Sequence, residues 1–567
     1  MSDAQPVLKH SDVAFMYQAD ADLYRAYGAT VLAWGGTPNE RSRAATREAG
    51  VLHFGSVGMV TEFARFIDRA PDYERAICTT AQGERLRVPW LWDHTHKGVP
   101  AYWFCTRHPL FRDYLRHRVV EIVQAGADGV HVDDHLGTSG NLWLGGCFCE
   151  RCITEFRAFL QDRLSPERWH ELGVTDPGQF DYRQFVLDWL QAHPDQAKSL
   201  PARPLWSEFE TFQLRGAADL MGELHALASE TAGKPLPMCA NIGVPSSSQL
   251  ATAEAVDFFA CEVGQGADRR AAGDGPVFAY KLAEALDRPV CATAAGQDWA
   301  FIKAHNLPGL VRMWIVAAYA QGQFFMAPHH QWCYTQELGT HWYEGPTEEY
   351  APLYRFVRDH AGLLDGYEVA GPVGVLYDHT AYRSGKRDVE QACLALLRAG
   401  VPFRVIVSGD ERFPFPLEPA DLRPFRTILV PSRDALSDAT KATLAKAPKA
   451  VRRLDWTGPE SSEGLPRPVV VDAPNVWVLP RAHSTKRIAP IVVHLVNRSY
   501  DAANDDVVAR RDVPVRLDPT ALGRKPFHRA LLVRPGADDV DLPLTPDGDV
   551  QRVTVPELGL WALFVLS

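Results

Sequence analysis

The sequence predicts an α/β protein: a (β/α)8 TIM barrel, then a flavodoxin-like α/β domain and a C-terminal β-sandwich. Three observations predict it. Short apolar runs alternate with segments of helical period as far as Leu364-Asp365-Gly366, the mark of a parallel α/β architecture. The pattern then resets into a smaller strand–helix unit. After Asn475 it becomes short β-rich runs separated by Asp, Gly and Pro. At 567 residues the chain exceeds what one hydrophobic core supports, so several domains are required. The expected boundaries are 1–365, 366–474 and 475–567.

Eight strands are expected in the first region: Val13 to Tyr17, Ala29 to Trp34, Val51 to Ser56, Gly129 to Asp134, Leu236 to Asn241, Asp257 to Glu262, Val290 to Ala294 and Phe324 to Ala327. Amphipathic helices such as Phe111 to Ala125 and Leu310 to Ala320 fit between them. Eight strand–helix units match a closed barrel, with Asp72 to Tyr102 and Gly137 to Thr231 as decorations of its C-terminal rim. A doubly wound open sheet is the competitor, and no Gly-rich phosphate loop supports it. The second region offers strands at Val373 to Tyr377, Phe403 to Val407 and Thr427 to Val430, with helices at Val389 to Arg398 and Asp438 to Lys446. The third offers strands at Val476 to Leu479, Ile491 to Val496, Val513 to Leu517, Ala530 to Val533 and Leu560 to Val565.

Composition narrows the function. A net charge of −11 argues against nucleic-acid and anionic-membrane partners. Residues 1–10 show no basic segment followed by an apolar one, and no apolar run spans a bilayer, so the expected location is cytoplasmic. Cysteines there stay reduced. Cys78, Cys239, Cys261, Cys291, Cys333 and Cys393 sit singly among apolar residues and are expected as buried core thiols.

Cys147, Cys149 and Cys152 form C-x-C-x-x-C, one ligand short of the four that a structural Zn2+ prefers. Cys105, after Tyr102-Trp103-Phe104 on an expected strand, is the best fourth ligand, with His108 in reserve. The competing reading is three surface thiols at a helix start. A closed metal knot would pin the loop carrying Trp143 against the barrel.

This cluster, leading into Ile-Thr-Glu-Phe-Arg-Ala-Phe-Leu, resembles the zinc-bearing β-galactosidases of glycoside hydrolase family forty-two. With Asp128-Gly129-Val130-His131-Val132-Asp133-Asp134 ahead of it, the chain is still more similar to a set of uncharacterised barrel hydrolases. The order of barrel, flavodoxin-like middle domain and terminal β domain is shared. The resemblance implies a glycosidase with a carbohydrate substrate, a structural zinc and a homo-oligomer such as a trimer. Two features depart from that family. Asp133-Asp134 stands where the family has Asn-Glu, and the seventh strand, Val290 to Gly296, lacks the family's nucleophilic Glu. Only the scaffold and the zinc knot carry over.

Glycoside hydrolysis needs two carboxyl groups across one sugar, and a barrel keeps them at strand C-terminal ends. Strand alternation sends His131 and Asp133 inward, and Asp134 can turn inward where the strand ends. Glu262 ends an otherwise apolar strand, where an unpaired charge is costly. A strand-four Asp with a strand-six carboxylate resembles retaining α-galactosidases, which implies Asp133 as nucleophile and Glu262 as acid/base. A salt-bridged Glu262 is the competing reading, and Asp298 is the first substitute. Asn241, His329, His330, Trp332 and Tyr334 are further rim candidates, with Trp34, Trp92, Trp143 and Trp299 as sugar platforms or core.

Two other classes stay open. His94-Thr95-His96 is an H-x-H of the kind that amidohydrolase-like metal enzymes use, although here it lies in a long insertion and reads better as solvated loop histidines. A non-catalytic carbohydrate-binding protein on an enzyme scaffold is the third possibility.

Overall fold

The computed structural model describes residues 7–567. Eight parallel strands run in chain order around a barrel: β1 Ala14–Met16, β2 Val31–Trp34, β3 Leu52–Gly58, β4 Gly129–Asp133, β5 Met238–Ala240, β6 Phe258–Val263, β7 Val290–Ala294 and β8 Phe324–Phe325. A parallel bridge from Phe15 to Ala327, with the Ala327 N–H donating to the Ala14 carbonyl at 2.8 Å, joins the last strand to the first. Every β2, β7 and β8 residue is buried, as strands wedged between a filled interior and covering helices must be. All eight expected strands are present, with ends shifted by up to two residues.

The helix Pro109–Gln124 shows why these segments fold as they do. Proline opens it where no N–H is needed, and the His108 side chain caps it. Its buried face carries Phe111, Leu115, Val119 and Ile122 at helical spacing, together with Arg118. That guanidinium is buried but bonded to Glu62 at 2.7 Å, which offsets its desolvation. Tyr102-Trp103-Phe104, expected as a strand, makes only isolated bridges, from Tyr102 to Arg87 and from Phe104 to Ile77. Too few backbone partners lie alongside for a ladder.

Between β4 and β5 the chain makes an insertion with its own core, in which Phe148, Phe156, Tyr182, Phe209 and Phe212 interlock. Its last helix, Trp206–Ala232, returns the chain to the barrel.

The middle unit is a four-stranded parallel sheet in the order Phe403–Ser408, Val373–Asp378, Thr427–Val430, Arg452–Asp455. Two short strands flank it, and both belong by pairing to the terminal sheets. Tyr367–Val369 pairs with Val476–His483, and Val469–Val471 with Arg510–Leu517. The terminal region has a six-stranded and a four-stranded sheet that share one apolar core. Alternation is clear where Val513, Val515 and Leu517 are buried between exposed neighbours. Ala537–Leu542, Thr545–Asp547 and Val550–Leu558 are strands that the sequence did not announce. The first two are almost wholly exposed, so no apolar period marks them. Among the described residues no helix is long and apolar enough to cross a membrane.

Candidate active site

The C-terminal ends of the barrel strands open into one cavity of about 760 Å3, within the ~300–1,000 Å3 typical of ligand sites. Asp133 and Asp134 enter it from the end of β4, Asn241 from just beyond β5 and Glu262 from β6. Tyr17 and Trp34 come from the ends of β1 and β2, and Thr61 from beyond β3. The far side is closed by Ala295 and Gln297 after β7, and by Trp332 and Tyr334 of the hairpin His330–Thr335/Gly339–Glu344 after β8.

Asp133 is the best-supported carboxylate. Its Oδ1 accepts the Asp134 backbone N–H at 3.0 Å and the Asn241 side-chain N–H at 3.2 Å. Thr61 Oγ1 donates to Oδ2 at 3.4 Å. Burial outweighs these donors and pushes Asp133 up to about 6. The same Asn241 accepts the Glu262 backbone N–H through its Oδ1 at 3.2 Å. One amide therefore ties the two strand ends together. Glu262 is raised further, to about 7, by burial and then by the charge of Asp133, against donors from Asn241 and the Gly296 backbone.

Asp134 adopts a left-handed φ of 51°, which turns it toward the same cavity where the strand ends. Its Oδ2 has no partner, and burial, Asp133 and Glu262 hold it well above the usual carboxylate range. Three carboxyls in one another's field cannot all ionise, so the cluster titrates as a unit and keeps a proton near neutrality.

Gly296 opens the helix Gly296–His305 and packs against Trp332. An added Cβ there would meet the Trp332 ring at 2.6 Å. That close approach lets the Gly296 N–H face Glu262 while Trp332 stays in the wall. Tyr17 carries no signal in the sequence beyond ending β1. It takes φ 65°, sits edge-on to Trp342 with ring centroids 5.2 Å apart, and lies in the fields of Asp133 and Glu262.

Six of the expected residues, Trp92 among them, are not brought to the cavity. His131 does point inward, but it is fully buried beneath Trp34, ring centroids 4.3 Å apart, and forms the floor. Asp298 accepts the backbone N–H groups of Gln265 at 2.7 Å and Ala267 at 2.8 Å, and so fastens the loop after β6. Trp299 is core: its Nε1 donates to Thr293 Oγ1 at 2.9 Å and its ring stacks on Tyr343. His329 packs on Phe15, while His330 stacks on Trp342 and pairs with Glu344. Asp298, Trp299 and His330 find polar partners outside the cavity, whereas His131 Nε2 and His329 Nδ1 are buried against aromatic rings without one. Trp92 is exposed elsewhere, and Trp90, Trp103 and Trp206 join Trp34 and Trp143 in the lining instead. His94 and His96 also lie outside the lining, against separate carboxylates, Asp93 at 2.8 Å and Asp68 at 2.7 Å.

The cysteine knot closes beside this cavity. The sulfurs of Cys105, Cys147, Cys149 and Cys152 all lie within 4.8 Å of one another, with Cys105 3.6 Å from Cys152 and 3.7 Å from Cys149. A tetrahedral zinc with Zn–S of about 2.3 Å places its sulfurs about 3.8 Å apart, so the four thiols fit that ion. Cys78, expected as an isolated core thiol, is buried against Cys105 and Cys147. The segment between Asp134 and Cys147 supplies Leu136, Ser139, Gly140, Leu142 and Trp143 to the cavity wall. The knot therefore anchors one end of that wall.

No family model matches the chain. Two curated relatives, each called "Alpha-agarase", from Alteromonas agarilytica and Thalassotalea agarivorans, are each 24% identical over 100% and 99% of this chain. The chain spans only 42% and 40% of their lengths. Among solved structures, an alpha-L-fucosidase isoenzyme 2 from Paenibacillus thiaminolyticus aligns over 99% of this chain and 100% of its own, with TM-score 0.63 and 12% identity. A beta-galactosidase from Rahnella sp. R3 aligns over the same shares, with TM-score 0.56 and 12% identity. Both structural likenesses establish the fold.

Proposed function

We propose that this protein is a glycoside hydrolase that cleaves an uncharged oligosaccharide or polysaccharide by a retaining mechanism. One observation carries the reading: Asp133 and Glu262, raised to about 6 and about 7, face one aromatic-lined cavity and are linked through Asn241. Their surroundings divide the work: donors on Asp133 favour its ionised form, and the charge of Asp133 favours a proton on Glu262. Asp133, the more readily ionised and the better supplied with donors, attacks the anomeric carbon. Glu262 holds the proton that the leaving oxygen needs, then takes one from the water that releases the sugar. Asp134, kept protonated, donates to a hydroxyl of the bound ring.

The cavity lining supports the substrate class. It contains Asp133, Asp134, Glu210 and Glu262 but no Lys or Arg, which repels sulfated or uronic sugars. The glycosidase names of the relatives and of both structural neighbours support the reaction class. The relatives' name makes an agarose-type galactan the first polymer to test. The cysteine knot holds a structural zinc through Cys105, Cys147, Cys149 and Cys152, and that ion supplies rigidity alone.

The test is hydrolysis of agarose oligosaccharides and a panel of nitrophenyl glycosides, with the product anomer followed by NMR. Retained configuration and loss of turnover in Asp133→Asn and Glu262→Gln are expected. Full activity in both variants would sink the assignment.

A further inference from the structure

The helix Trp206–Ala232 brings Trp206 and Glu210 to the cavity, four residues apart and so on one face. Glu210 is held from outside the barrel. Arg412, on the turn after the middle-unit strand Phe403–Ser408, donates to Glu210 Oε2 through Nη1. Its other donors grip the same helix, with Nε on Thr211 Oγ1 at 2.8 Å and Nη2 on the Ser207 carbonyl at 2.7 Å. Asp410 fixes this turn by accepting the Arg412 backbone N–H at 2.9 Å and Arg383 Nε at 2.8 Å.

A buried guanidinium is expensive to desolvate, and an apolar side chain would hold two domains together at lower cost. What an arginine adds is several donors in fixed directions, here one on Glu210 and the others on Thr211 and Ser207 of the same helix. Here the side chain of Arg412 is 4% exposed, while that of Glu210 keeps 34% exposure at the cavity wall. The bond to Arg412 uses Oε2, which leaves Oε1 to accept from a ligand. We infer that Glu210 and Trp206 form a distal sugar subsite, with Glu210 accepting ring hydroxyls, and that Arg412 of the middle unit is its positioning residue. The middle unit thereby takes part in substrate binding.

The inference rests on the glycosidase reading, and its test separates the two. Steady-state kinetics would compare wild type, Glu210→Gln, Arg412→Ala and Arg412→Lys on agarose oligosaccharides of increasing length and on a nitrophenyl monoglycoside. Glu210→Gln should raise KM for the longest oligosaccharide about tenfold, by weakening a charge-assisted hydrogen bond, and leave the monoglycoside within about twofold. Arg412→Ala should reproduce that length dependence, and Arg412→Lys should recover part of it. Equal losses at every length, or none, would overturn the subsite. Glu210→Gln decides the matter even if Arg412→Ala fails to fold. Should wild type hydrolyse nothing yet bind the long oligosaccharide, with affinity lost in Glu210→Gln by titration calorimetry, the hydrolase reading falls and the subsite stands.

Discussion

Two clusters of ionisable groups share one stretch of chain, Asp133 and Asp134 of one lying fewer than twenty residues before Cys147, Cys149 and Cys152 of the other, and they are built in opposite ways. The four thiols of Cys105, Cys147, Cys149 and Cys152 face each other in a closed knot. The carboxyls of Asp133, Asp134 and Glu262 face each other across a cavity of about 760 Å3. In the knot the four sulfurs lie within 4.8 Å of one another, a spacing that fits a single ion. In the cavity the protons have no fixed counter-ion, and Asp134 Oδ2 has no partner at all. On the proposed function, the like groups gathered without a counter-ion beside open volume are the reactive set, and those gathered around an ion-sized gap are the structural one.

The strongest way to break this contrast is to neutralise the cavity. Asp133→Asn and Glu262→Gln should each lower kcat/KM by about a thousandfold or more, with circular dichroism unchanged. A variant that loses its fold along with its activity would make the carboxyls structural, like the thiols.

Attacking the knot should give the converse result. Structural zinc sites bind with apparent free energies of about 10–16 kcal/mol. Cys149→Ser or a strong chelator should therefore release one zinc per chain and lower the melting temperature sharply. Activity should fall only as the insertion loosens. Zinc analysis showing no metal in the native protein would remove that half of the comparison.

The pH profile sharpens it further. With Asp133 needed ionised and Glu262 needed protonated, kcat/KM should rise through about pH 6 and fall above about 7. Stability should run the other way. Both groups are raised by folding, so between their unfolded values and these pH values the native state holds protons that the unfolded chain has released. That contribution is present at low pH and is lost as pH rises through about 7. Glu262→Gln should thus raise the melting temperature above pH 7 and change it little below about pH 4. A stabilisation independent of pH would contradict the cause given for the raised carboxyl.

The smallest effects belong to the histidines after β8. His330→Ala should leave KM within about twofold, because the ring is committed to Trp342 and Glu344. A large KM increase would return it to the site.

Much of this was legible in the sequence. Apolar runs separated by helical periods gave all eight barrel strands, because a strand buried on both faces must be apolar throughout. C-x-C-x-x-C pointed to the knot, strand alternation at the Asp133-Asp134 pair pointed to Asp133, and a carboxylate ending an otherwise apolar strand pointed to Glu262, because an unpaired charge there is costly. Only tertiary structure could decide which polar groups near the rim found partners elsewhere. Asp298, Trp299 and His329 were drawn away by backbone and ring neighbours distant in the chain, while Tyr17, Glu210 and Arg412 were recruited from segments with no local signal. A residue's cost is written in its own neighbourhood, but its partner is chosen by the fold.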